Sequence, residues 1–182
     1  MSSQNKVNMV FIPFPIMSHL VAAVNAAKLL SNRDERLSIT VLIMKLPMDT
    51  KISSYTKNSP DSRINFVELP ENESNTHKLL QSRQTFVSRF LESQKGPARD
   101  AVAKLMVGPG SGLLAGFVID MFCTPMIDVA NDFRAPAYVF FTCSAAVLGL
   151  MFRLQSLQDD ENQDLTGYED SDAEISVPTY VN

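Results

Sequence analysis

Leu113-Leu114-Ala115-Gly116-Phe117-Val118-Ile119, closed by Asp120, is a run of apolar and small residues with a carboxylate at its end. So short and uniform a run suits a strand buried on both faces, as in parallel sheets covered by helices. Near the N-terminus Val10-Phe11-Ile12-Pro13-Phe14-Pro15 repeats the pattern and is followed by His19. In an open α/β sheet the carboxyl ends of the strands share one edge, where ligands bind. His19 and Asp120 are therefore expected to meet there, and a histidine beside a carboxylate is general-base equipment.

Between and beyond these two runs, strand and helix signals alternate. Val7 to Phe14 reads as the first strand. Leu20, Ala23, Val24, Ala27 and Leu30 then recur at helical spacing, with Ser18 available as a cap at the start of that helix. Ser38 to Met44 and Arg63 to Leu69 are further strands, the latter ended by Pro70. Two helices are predicted next, over Lys78 to Glu92 and Ala98 to Val107, with Gly108-Pro109-Gly110 as a stop. Leu113 to Ile119 is followed by a helix over Thr124 to Phe133, a strand over Ala137 to Thr142 and a helix over Ser144 to Leu157. Together these predict an α/β fold with a doubly wound, Rossmann-like parallel sheet. The expected organisation is one domain over residues 1–157 and an acidic loop or tail over 158–182, in which Ile175-Ser176-Val177-Pro178 is the one hint of a further element.

Composition narrows the function classes. The chain has 182 residues, 45% hydrophobic and 20% charged, enough for one ordinary core. All sixteen Lys and Arg lie at or before Arg153 against twelve of the acids, so residues 1–153 carry +4 and the remaining eight acids give the tail −8. The basic residues are scattered among acids, not gathered into a stripe with stacking aromatics, so nucleic acid is not the expected partner. No apolar stretch reaches the roughly 18 to 20 residues of a membrane helix, and the first residues lack the apolar segment of a secretory signal, so the cytoplasm is expected. Cys123 and Cys143 read as small buried hydrophobes, and no metal site is expected. His77 reads as a surface residue, and Asn72-Glu73-Ser74 as an accidental glycosylation triplet.

Phe11-Ile12-Pro13-Phe14-Pro15 followed by Ser18-His19-Leu20 and Leu29-Leu30 resembles the opening of plant family 1 UDP-sugar glycosyltransferases. Leu114 to Cys123, then Met126-Ile127-Asp128-Val129-Ala130 and Tyr138-Val139-Phe140-Phe141-Thr142, resemble the fourth and fifth strands of the same family. The resemblance covers essentially the whole chain but only the first half of such an enzyme. It implies the N-terminal, acceptor-binding domain of a GT-B fold. It also implies that His19 takes the proton from an acceptor hydroxyl, that Asp120 orients and stabilises the imidazole, and that Ser18 and Thr142 lie near the sugar and phosphates of the donor. Phe86, Phe122, Phe140 and Leu148 are candidates for the acceptor pocket, against the plainer reading that apolar residues at such spacings are core. Without the resemblance, His19 and Asp120 have plain readings too, as a surface or capping histidine and a helix cap.

Three departures from the family pattern stand out. The loop before the histidine is usually glycine-rich, whereas Ile16-Met17-Ser18 puts bulk where backbone would approach a ligand. Arg134 stands where Gly is usual, before Ala135-Pro136, at a cost on the order of a kcal/mol if the position requires positive φ. The donor-binding signature begins with Trp, and the chain has no Trp. No cofactor is therefore expected, with UDP-glucose bound only if a donor domain is supplied. Three readings stay open: the acceptor-binding part of a phenolic or terpenoid glycosyltransferase unable to transfer sugar alone; a donor-independent acid/base enzyme catalysing cyclisation, isomerisation or elimination; or a non-catalytic binder. The expected partners are a small hydrophobic plant metabolite and, through an uncovered sheet edge, a second copy or a related chain.

Overall fold

The computed structural model describes residues 6–46, 51–57, 63–70, 83–107 and 112–168. The chain divides into two compact units, Met1–Phe140 and Phe141–Asn182. The first contains β1 (Val7–Ile12), α1 (Met17–Arg33), β2 (Leu37–Ile43), α2 (Lys51–Lys57), β3 (Ile64–Glu68), α3 (Arg83–Val107), β4 (Leu113–Asp120), a 3₁₀ turn at Thr124–Met126, α4 (Ile127–Asp132) and β5 (Ala137–Phe140). The second contains α5 (Ala145–Asp159) and a 3₁₀ turn at Leu165–Tyr168.

The five strands form one sheet in the order β3-β2-β1-β4-β5, with every pair parallel. This is the expected doubly wound α/β architecture. Continuous apolar strands follow from burial on both faces: Val10, Ile12, Leu42, Phe117 and Ile119 point into one cluster with Phe90, Leu91, Ala98 and Val102 of α3 and Met126, Val129 and Ala130 around α4. The alternate residues Phe11, Val41 and Ile43 enter a second cluster with Leu20, Ala23, Val24 and Ala27 of α1 and Ile52 of α2. Phe11 and Phe117 are almost wholly buried, and each contributes roughly 1.5–3 kcal/mol by leaving water.

Several expectations are corrected at their edges. The first strand ends at Ile12, not Phe14, because Pro13 has no N–H for the ladder. Ser18 does not cap the following helix. That helix starts at Met17, the capping position is Ile16, and no side chain there accepts a hydrogen bond. The two helices expected on either side of Gly96-Pro97 are one, with Pro97 inside α3. An interior proline costs about 3 kcal/mol, but the buried stripe Phe90, Leu91, Gln94, Ala98 and Val102 runs unbroken past it. Lys95 and Arg99 also bind Asp128 and Asp132 of α4 across the same stretch. The helix expected over Thr124 to Phe133 begins as a 3₁₀ turn and is helical only from Ile127. Cys143, expected to be buried, is only partly so, because it lies where the chain has left the sheet before α5.

Among the described residues three have positive φ: Gly116, Arg134 and Asn162, the last at +50° after α5. Gly116 has φ +155°, and a Cβ there would stand 2.7 Å from the Pro136 carbonyl oxygen, so only glycine lets the chain after α4 approach β4 this closely. Arg134 has φ +51°. The Ala135 N–H donates to the Ala130 carbonyl at 3.1 Å and the Arg134 N–H to the Asn131 carbonyl at 2.9 Å. That is a Schellman ending with arginine at the left-handed position. His77, the first residues of the Lys78 helix, the Gly108-Pro109-Gly110 stop, the Asn72 triplet and the Ile175 segment lie outside the described residues. No helix among the described residues is long and apolar enough to cross a membrane.

Candidate functional site

The strand order reverses between β1 and β4, which pair in parallel with Phe11 opposite Val118 and Ile12 opposite Ile119. At such a reversal the connections from the two strands leave toward opposite faces, and a crevice opens at their carboxyl ends. His19 enters this edge from the first turn of α1, and Asp120 is the last residue of β4. Their side chains meet, with His19 Nδ1 at 2.6 Å from Asp120 Oδ2, across 101 residues of sequence.

The carboxylate is engaged on both oxygens. Asp120 Oδ1 accepts the Phe122 N–H at 3.0 Å, and the Asp120 backbone carbonyl accepts the Cys123 N–H at 2.7 Å, so the turn after β4 folds back onto the strand end. The Asp120 side chain is 1% exposed and that of His19 13%. A charge so deeply buried is tolerated because hydrogen-bond donors replace its water. A carboxylate can only accept, so the proton of a neutral imidazole sits on Nδ1 and the lone pair on Nε2.

Two aromatic rings flank the histidine. Phe14 lies edge-on to it, with ring centroids 5.8 Å apart and planes at 66°. Phe122 lies 5.5 Å from it at 45°, and Phe14 and Phe122 are themselves 5.5 Å apart at 64°. On the side toward β2, Pro13, Phe14, Pro15, Leu20, Met44 and Ile52 line a shallow apolar crevice. Phe122 is 49% exposed. Burial and the Asp120 charge both push the Cys123 thiol well above its ordinary range. Cys123 is therefore no nucleophile, although it is a neighbour of the carboxylate.

The remaining sequence-chosen residues are placed as follows. Ile16, 37% exposed, occupies the start of α1. Met17 is partly buried against the apolar cluster between α1 and β2. Ser18 is in the first turn of α1, immediately before His19. Phe86 stacks on Phe90 along α3, with centroids 6.1 Å apart. Thr142 and Leu148 belong to the second unit, Thr142 ahead of α5 and Leu148 in its first turn. Sequence reasoning passed over Phe14, which reads as the last residue of a strand. Its available signal was a proline on each side, which fixes an aromatic ring at a strand end near a histidine. No group of three His, Cys, Asp or Glu placed to hold a metal ion occurs among the described residues.

No protein-family model matches the chain. The chain is 46% identical over 182 residues to UDP-glucose flavonoid 3-O-glucosyltransferase 6 of Fragaria ananassa, covering 96% of this chain and 37% of that protein. It is 47% identical over 174 residues to UDP-glycosyltransferase 71E1 of Stevia rebaudiana, covering 96% of this chain and 36% of that one. Among solved structures, Medicago truncatula UGT71G1 complexed with UDP-glucose superposes with a TM-score of 0.73 at 33% identity, over 97% of this chain and 38% of that one. The chain thus spans a little over a third of the length of these relatives.

Proposed function

From the premise that this chain belongs to the plant UDP-glycosyltransferases over their N-terminal region, we propose that it supplies the acceptor side of glycosyl transfer. It binds a small hydrophobic phenolic or terpenoid, and His19 acts as the base toward one of the ligand's hydroxyls. The observation that carries this reading is the 2.6 Å contact between His19 Nδ1 and Asp120 Oδ2 at the strand-order reversal.

A hydroxyl is a weak nucleophile at neutral pH, and an adjacent base activates it. As the acceptor O–H proton passes to His19 Nε2, the oxygen forms its bond to the anomeric carbon of the sugar. The bond from that carbon to the nucleotide breaks, and UDP leaves with the electron pair. Asp120 keeps the imidazole in the accepting tautomer and stabilises the imidazolium that results. The Phe14 and Phe122 rings reduce water access to the pair, which strengthens its electrostatics. These residues perform the proton step. The Trp-led donor signature is not among these 182 residues, which contain no Trp, and so the sugar-transfer step is proposed only for this chain acting together with a donor region.

The Fragaria relative is named for flavonoid 3-O-glucosylation, so a flavonol is the first ligand to test. Titrating the purified chain with quercetin and a panel of plant phenols and terpenoids, with fluorescence or calorimetric readout, should give micromolar binding for at least one member. UDP-glucose alone should bind more weakly than about 1 mM, equivalent to less than about 4 kcal/mol. No binding across the panel would overturn the acceptor reading. Conversion of a ligand without nucleotide would select donor-independent acid/base chemistry instead.

A further inference from the structure

We infer that Phe14 is a positioning residue for His19, and that its aromatic ring, beyond its bulk, keeps the imidazole on Asp120. The inference rests on reading His19 as the base. The side chain of His19 has two torsions, and the hydrogen bond to Asp120 does not by itself fix both. Phe14 and Phe122 restrict that motion by closing a triangle in which every ring centroid lies 5.5–5.8 Å from the other two. Edge-to-face contact sets the positive edge of one ring against the negative face of another, and so prefers one orientation where a mere space-filler would not.

The two phenylalanines are not equivalent supports. Phe122 stands in the turn after β4 and is half exposed. Phe14 is held by its backbone and by packing on one side. Pro15 restricts the backbone of Phe14 to extended conformations, just as Pro13 restricts Ile12. The Ile16 N–H donates to the Phe14 carbonyl at 2.7 Å, closing a three-residue turn around Pro15. The partly buried Phe14 side chain packs against the cluster that contains Val10, Ile12 and Leu42. The rigid ring therefore defines where the imidazole sits, and the exposed one follows it.

The test uses the full chain, ¹⁵N-labelled, and follows the His19 Nδ1–H proton by NMR, the assignment coming from its loss in His19→Gln. In the parent chain this proton, hydrogen-bonded to Asp120, should be resolved far downfield and exchange slowly with water. Phe14→Leu keeps most of the volume and removes the ring. It should speed the exchange by about three- to tenfold, the range expected for loss of an aromatic pair, while the amide signals of Val24 and Phe117 stay in place. Phe14→Tyr, which restores a ring, should return the slow exchange. Unchanged exchange in Phe14→Leu would overturn the inference, as would Phe14→Tyr behaving like Phe14→Leu. Because no acceptor is added, a chain that binds no phenol still gives this readout, so failure of the acceptor reading and failure of the inference are distinguishable.

Discussion

Two helices of this chain begin in opposite ways. At the start of α5, Ser144 takes an extended backbone conformation, and its hydroxyl accepts the Val147 N–H at 3.4 Å. At the start of α1, Ile16 is also extended, with φ −132° and ψ 150°, but has no side-chain acceptor to offer. A helix start normally selects Ser, Thr, Asp or Asn because its first N–H groups have no partner within the helix. The start that breaks the rule is the one carrying His19 three residues further in. The turn that carries the proposed base is thus the one without a side-chain cap.

The largest test of that contrast concerns the site. In a chimera joining this chain to the C-terminal region of the Fragaria relative, His19→Ala should lower glycosyl transfer by about 10²- to 10⁴-fold, the usual worth of a positioned base. Asp120→Asn should lower it as well, because the amide removes the charge and can set the wrong tautomer. The readout is product formation at saturating UDP-glucose, and wild-type rates in His19→Ala would remove the base from the mechanism. The effect of a missing cap is smaller. Ile16→Ser should raise stability by about 1 kcal/mol, seen as a higher urea midpoint at unchanged slope. No gain there would mean that the first turn of α1 is already satisfied by other groups.

A third helix end sharpens the comparison away from the site. Arg134 adopts φ +51° at the end of α4, where glycine carries no steric penalty. Arg134→Gly should therefore stabilise the chain by about 0.5–1 kcal/mol in the same assay, the relief of left-handed strain exceeding the extra entropy glycine brings to the unfolded state. Ser144→Ala should cost about 0.5 kcal/mol, at the low end for a cap because the bond it removes is long and exposed. Absence of any loss in Ser144→Ala would erase the contrast between the two starts.

Thermal and denaturant titrations against pH add one further check, through Cys123. Its thiol is pushed upward in the fold, so the unfolded chain ionises first as pH rises. The stability this contributes is fully present below the unfolded thiol value of roughly 8.5 and is lost progressively above it. Cys123→Ala should flatten that alkaline decline, and alkylation at pH 8 should spare Cys123 until the chain is unfolded.

What was legible in the sequence follows from which forces are local in pattern. The strands β1, β2 and β4 were legible because burial on both faces forces continuous apolar runs, and the pairing of His19 with Asp120 followed from the ends of two of those runs; β3, only partly buried, was legible by its alternation before Pro70. The Arg134 position was legible through the resemblance, since a residue standing where glycine is usual pointed to positive φ. The continuity of α3 was not legible: Gly96-Pro97 argues locally for a break, and the opposing force is a stripe packed against strands far away in sequence. The start of α1 was misread because Ser18 has the chemistry of a cap, while the turn begins two residues earlier at a residue with none. Phe14 was missed for a different reason, since its partners at 19 and 122 share nothing with it until the sheet is assembled.

The adjacency of β1 and β4 also has a consequence in time. β1 gains its β2 partner early, but its other edge waits for residues 113–120, and His19 waits for a carboxylate 101 residues downstream. At ribosomal rates of 5–20 residues per second, that interval is roughly 5–20 s. Throughout it, β1 has one edge of unpaired N–H and C=O groups flanked by Val10, Phe11 and Ile12, the kind of surface on which foreign strands add. The central strand of the finished sheet is thus an edge strand during synthesis, and the nascent chain is most exposed to mispairing at the strand that will later support its site.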